Sequence, residues 1–255
     1  MAKFILVSLC IAMLSAFTIN SHAGRAHPEN IETDAVFTQL SKNVWMHTSY
    51  KNFDKWGTIP ANGLIVLDEQ NSTLVDTAWN NAQTKTILEW AKTSLKRPIT
   101  RAVFTHAHSD KMGGVETVRS YGVKTWANPH SNDLAPSNEL LPAEFDLSFD
   151  SHNKSSDINP LVVFKPGAGH TLDNIVVYLP DEKMLYGGCL IRPGNAKGMG
   201  NTQDGDVNSW DGSVKNITQS FPAIDSVIPT HGAPGGKELL EHTIKLVEKH
   251  RGSLN

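Results

Sequence analysis

Thr105-His106-Ala107-His108-Ser109-Asp110 is the stretch on which the reading of this chain turns. It closes a short β-rich run over 99–105 and sets three potential ligands at every second residue. Alternate side chains of an extended chain share a face, so two imidazoles and a carboxylate converge if the segment ends a strand. On a helix each step of two residues turns the side chain by about 200°, and the three would not meet. Two readings follow, a metal site or a polar loop with chance histidines, and the spacing by itself favours the metal.

Three further residues favour the metal. His170 follows Pro166-Gly167-Ala168-Gly169, Cys189 follows Gly187-Gly188, and His231 follows Ile228-Pro229-Thr230. Each ends a predicted strand or leaves a glycine-rich turn, and strand ends gathered at one sheet edge are where sites assemble. Six ligand-type residues suffice for two ions with three protein ligands apiece. Three ligands leave coordination positions free, which marks a catalytic zinc site rather than a closed structural one.

Around these residues the hydrophobic pattern is that of a layered α/β protein, a two-sheet sandwich flanked by helices. Strands are predicted at 44–48, 64–67, 73–75, 99–105, 124–127, 161–165, 174–179, 184–188 and 226–230, with 64–67 and 73–75 forming a hairpin. Helices are predicted where Ile87, Leu88, Ala91 and Leu95 share a face, at 115–121 with Gly122 as the stop, at 210–221, and where Leu239, Leu240, Thr243, Ile244 and Val247 line up. No internal repeat or low-complexity segment interrupts them.

Lys3, an apolar run over 4–17 and the small residues Ser21 and Ala23 read as a signal peptide over 1–23, cut after Ala23, leaving 24–255 as one domain. The run is shorter than the ~20 apolar residues a permanent span needs, so no membrane attachment is expected after cleavage. Export to the periplasm in a soluble, monomeric form is the expectation. Removing 23 of 255 residues leaves 232, takes one of 23 bases and none of 26 acids, and gives a net charge of about −4. Nothing in that balance suggests a nucleic-acid partner. Cleavage also removes Cys10, so Cys189 stands alone in a compartment where cysteines normally pair. A lone thiol there is a buried hydrophobe, an intermolecular bridge or a metal ligand.

The joint pattern H-A-H-S-D, G-A-G-H, G-G-C-L-I-R and P-T-H-G, in this order and through almost all of the mature chain, resembles the metallo-β-lactamases of class B, subclass 1. The resemblance implies the four-layer αββα sandwich. It also implies two Zn2+ per chain, one held by His106, His108 and His170 and the other by Asp110, Cys189 and His231, which makes Cys189 a thiolate ligand. Other hydrolases of the superfamily and the third subclass carry a histidine after the aspartate, where this chain has Lys111. The second subclass replaces the first histidine of the motif by asparagine. Lys111 together with Cys189 therefore points to the first subclass.

What the resemblance implies chemically is hydrolysis of the lactam amide of β-lactam antibiotics, and hence antibiotic resistance. Zinc lowers the pKa of bound water from ~15.7 to about 7, so metal-bound hydroxide can attack without an activated serine. Asp110 would orient the attacking group. Arg192 stands where the family usually has a lysine that pairs with the substrate carboxylate, and a guanidinium keeps the charge with a different reach. Asn201 matches an asparagine that contacts the lactam carbonyl, although Thr202-Gln203-Asp204-Gly205 departs from the usual loop. The 50–61 stretch, with Phe53, Trp56 and Ile59 among polar residues, suits a flap over the substrate, Trp56 being the foremost contact. Trp79 is expected to pack beneath the metals, Asp76 to orient a ligand or cap a turn, and His47, His130, His152, His242 and His250 to be surface or core residues. The competing functions are a di-zinc lactone or thioester hydrolase on the same fold and a non-enzymatic periplasmic zinc-binding protein, whose sites would be closed.

Overall fold

The structure is a computed structural model that describes residues 28–253. The expected leader, 1–23, lies outside the described residues. Strands β1 (Val36–Gln39), β2 (Val44–Phe53), β3 (Gly57–Leu67), β4 (Ser72–Val75), β5 (Ile99–Phe104), β6 (Lys124–Ala127) and β7 (Phe145–Asp146) form one sheet in sequence order. The second sheet is ordered β12 (Ser226–Pro229), β11 (Met184–Gly188), β10 (Val176–Leu179), β9 (Val162–Phe164), β8 (Lys154–Ser155). Helices α1 (Asn81–Thr93), α2 (Ser109–Met112), α3 (Val115–Ser120), α4 (Pro129–Leu134), α5 (Val207–Ser220) and α6 (Glu238–Gly252) complete the fold.

Strand alternation shows directly why the layers number four. Ile65, Leu74 and Phe104 point outward onto Ile87, Leu88, Val115 and Val118 of α1 and α3. Their neighbours Leu64, Val75 and Val103 point inward, where they meet Val163, Val177, Tyr186 and Ile228 of the second sheet. Val176, Leu185 and Val227 then point outward again, onto Trp210, Val214, Leu240 and Val247 of α5 and α6. These central strands are thus apolar on both faces, as a sheet covered on both sides requires. Three apolar interfaces separate helix, sheet, sheet and helix, the αββα sandwich expected.

Local signals fix the covering helices. Asn80 caps α1 by accepting from the Gln83 backbone N–H, and Asp206 caps α5 by accepting from Asn208. Gly122 ends α3 at φ +74, a conformation that a residue without Cβ adopts freely. β5 runs parallel to β4 and β6, and β11 runs parallel to β12, so the chain leaves β5, β11 and β12 at their C-terminal ends carrying His106, Cys189 and His231.

Candidate metal centre

The residues of the histidine motif do not meet by alternation along a strand. β5 ends at Phe104, residues 105–108 bend, and His108 is the N-cap of the short helix α2, which contains Asp110. A sharp turn followed by one helical turn, rather than an extended segment, brings His106, His108 and Asp110 together. Gly113 ends α2 packed so closely on the Trp79 carbonyl that a Cβ there would clash with it.

All six expected ligands converge. His108 Nδ1 lies 3.1 Å from His106 Nε2 and 3.3 Å from His170 Nε2. Beside them, Cys189 Sγ lies 3.3 Å from Asp110 Oδ2 and 3.5 Å from His231 Nε2, and those two atoms are 3.5 Å apart. The two groups are contiguous, with donor atoms of His106, His170 and Cys189 within 4.8 Å of one another. Zinc–nitrogen bonds of about 2.0–2.1 Å at tetrahedral angles hold two nitrogen donors about 3.3–3.4 Å apart, and a sulfur donor about 3.6 Å from its neighbours. The observed spacings of 3.1–3.5 Å lie close to these values, so the donor set fits zinc.

Charge favours the same occupant. Burial, with the charge of His108 second, pushes His170 down to about 3, and burial lowers His106 too, so both imidazoles are neutral donors at ordinary pH. Burial and the Asp110 carboxylate oppose ionisation of Cys189, yet Lys111, His231 and His106 outweigh them and bring the thiol to about 5. Asp110 is held well below the usual carboxylate range, because Lys111 and His231 overcome the effect of its burial.

The residues behind the ligands carry information that motif reading missed. Lys111 is fully buried, its Nζ 3.4 Å from Asp110 Oδ2, 3.5 Å from Asp76 Oδ2 and 3.2 Å from the Tyr186 hydroxyl. Asp76 sits behind the ligands, at the start of the 105–108 bend. It accepts hydrogen bonds from the Thr105 N–H (2.7 Å), the Thr105 hydroxyl (2.8 Å) and Tyr186 (2.8 Å), and burial raises it to about 6 despite Lys111. His231 Nδ1 donates to the Pro60 carbonyl at 2.7 Å, and Asp204 Oδ2 lies 3.2 Å from His108 Nε2. Such outer partners fix the tautomer and ring orientation of a ligating histidine. Asp204 sits in the loop that departs from the family pattern, and only the folded contact reveals its role.

Phe53 ends β2, and its ring meets Trp79 edge-on at 5.5 Å and Trp56 at 5.8 Å. Trp56 is 64% exposed at the turn of the β2–β3 hairpin. Trp79 stacks on His231, with ring centroids 6.2 Å apart. Arg192 is half-buried and donates from Nε to the Gly198 carbonyl. Asn201 is exposed, and its Oδ1 accepts from the Gln203 N–H in a local turn contact. His47 is a core residue, while His130, His152, His242 and His250 lie at or near the surface.

Known proteins resemble this chain in sequence and fold. The family model described as the metallo-beta-lactamase superfamily matches residues 56–231. A metallo-beta-lactamase type 2 of Bacteroides fragilis is 37% identical over 220 residues, 86% of this chain and 88% of the relative. One of Bacillus cereus is 36% identical over 85% of this chain and 84% of its own length. Among solved structures, the metallo-beta-lactamase FIM-1 of Pseudomonas aeruginosa, in a mono-zinc form, superposes with a TM-score of 0.84 at 50% identity, covering 86% of this chain and 96% of that one. On the family model, the identity to these relatives and the geometry of the centre, this chain belongs to the metallo-beta-lactamase superfamily.

Proposed function

We propose that this chain is a zinc-dependent β-lactamase that binds two zinc ions, one at His106, His108 and His170 and one at Asp110, Cys189 and His231. The match between donor spacing and zinc coordination carries the reading, and the names of its relatives support the lactam as substrate. Bound zinc would supply Lewis acidity and a water whose pKa falls from ~15.7 to about 7.

The chain's own residues do the rest. Asp110 Oδ2 faces Cys189, His231 and Lys111, which leaves Oδ1 to orient the attacking water by accepting its hydrogen bond. Arg192 pairs with the substrate carboxylate, and Asn201, once released from its local turn, donates from Nδ2 to the lactam carbonyl. Trp56 and Phe53 close over the ring and exclude solvent. Water oxygen bonds to the carbonyl carbon, the carbon–nitrogen bond breaks, and the nitrogen leaves with a proton. All six donors come from one chain, so a monomer suffices. The 1–23 leader supports export to the periplasm, where such an enzyme would confer antibiotic resistance.

Hydrolysis of a chromogenic cephalosporin by the purified protein, with a lactone and a thioester in parallel, tests the substrate class. Lactam turnover is expected. Turnover of the lactone or thioester alone would overturn it, as would covalent labelling of a serine during lactam turnover.

A further inference from the structure

We infer that Lys51 is a specificity-determining residue, the cation that receives an additional carboxylate carried on the acyl side chain of a β-lactam. The inference rests on the β-lactamase reading above. In the β2–β3 register Lys51 pairs with Ile59, and Phe53 pairs with Gly57. Residues two apart on a strand share a face, so Lys51 and Phe53 lie on the same face as His47, whose ring reaches the Asp76 backbone oxygen behind the centre. On this face Lys51 and Phe53 meet Trp79, whose ring packs on the ligand His231.

The ammonium is held in place there. Lys51 Nζ lies 5.4 Å from the Phe53 ring centroid and 5.6 Å from that of Trp79, and Trp79 stacks on the ligand His231 with 25° between planes. Contact with two ring faces draws a cation over the aromatic floor and away from open solvent. Lys51 is nevertheless exposed, and no carboxylate of the described residues lies in ion-pair range of it.

Arg192 flanks the centre at a different place, near enough to His170 and Cys189 to act on their charges. The ring carboxylate and the acylamino group of a β-lactam project from opposite ends of the fused rings. With the carboxylate on Arg192, the acyl side chain runs toward the floor of Phe53 and Trp79, where Lys51 supplies the positive charge.

A matched pair of substrates isolates this contact: a penicillin with a phenylacetyl side chain and its α-carboxy derivative, compared in the wild type, Lys51→Met and Lys51→Arg. In Lys51→Met the KM advantage of the dianionic substrate is expected to shrink about threefold to fivefold, the size of an exposed ion pair. Lys51→Arg should retain the advantage, and added salt should erode it in the wild type. An unchanged KM ratio in Lys51→Met would overturn the assignment. So would loss of zinc in that variant, which would make the lysine a prop for His231. If the wild type hydrolyses neither penicillin, the β-lactamase reading itself fails, an outcome distinct from an unchanged ratio.

Discussion

The ammonium of Lys111 lies 3.4 Å from Oδ2 of Asp110, and both side chains are buried. A second carboxylate, Asp76, stands 3.5 Å from the same nitrogen. One internal cation therefore compensates two buried acids.

Lys111→Met keeps the length of the side chain and removes the charge. Deleting one partner of a buried pair costs about 3–5 kcal/mol, because the remaining charge is left uncompensated. The melting temperature of the zinc-free variant is expected to fall sharply, and that of the zinc-loaded variant less, because zinc supplies positive charge beside Asp110. An equal melting temperature for zinc-free variant and wild type would contradict this role.

Much of this was legible in the sequence. The six donors and the αββα order follow from motif and periodicity, because metal ligands must be particular residue types and sandwich strands must be apolar on both faces. The route by which the donors meet was not legible, since Thr105 to His108 carries no turn signal that distinguishes a bend from the end of a strand. The partners behind the ligands were also hidden. Tyr186 reads as one more apolar residue of a strand, and Asp204 as a loop acid, until folding brings them to Asp76 and His108.

Asp204→Ala removes the carboxylate that orients the His108 ring. Loss of such an outer partner typically costs about 10–100-fold in metal affinity, and zinc competition against a chromophoric chelator measures it. The weakening is expected at the three-histidine site. Unaltered affinity there would show that the exposed Asp204 carboxylate contributes nothing to metal binding.

Cys189 in metal-free protein should ionise near pH 5 rather than at its ordinary 9.0. Thiolate absorbance near 240 nm, titrated after chelation, reads this directly, and a midpoint near 9 would contradict it. The folded value lies below the unfolded one, so the contribution to stability is full above pH 9 and is lost as pH falls toward 5. Cys189→Ser should remove that dependence and leave about one zinc per chain after moderate dialysis.

Arg192 reaches its place beneath Gly200, with both terminal nitrogens 3.1 Å from where a Cβ on Gly200 would sit, at φ +73. Arg192→Ala is expected to raise KM more than it lowers kcat, by roughly 1.5–3 kcal/mol, the scale of a hydrogen bond to a charged group. Arg192→Lys should keep much of the activity. Gly200→Ala should share the KM defect without removing the guanidinium. Steady-state kinetics on a carboxylate-bearing cephalosporin decides, and an unchanged KM in Arg192→Ala would refute the assigned role.

The most direct test of the whole account is a zinc titration of chelator-stripped protein, with bound metal and β-lactam turnover followed together. The expected result is no turnover before zinc is added, recovery as zinc binds, and saturation at two ions per chain. Undiminished hydrolysis by the stripped protein would contradict it.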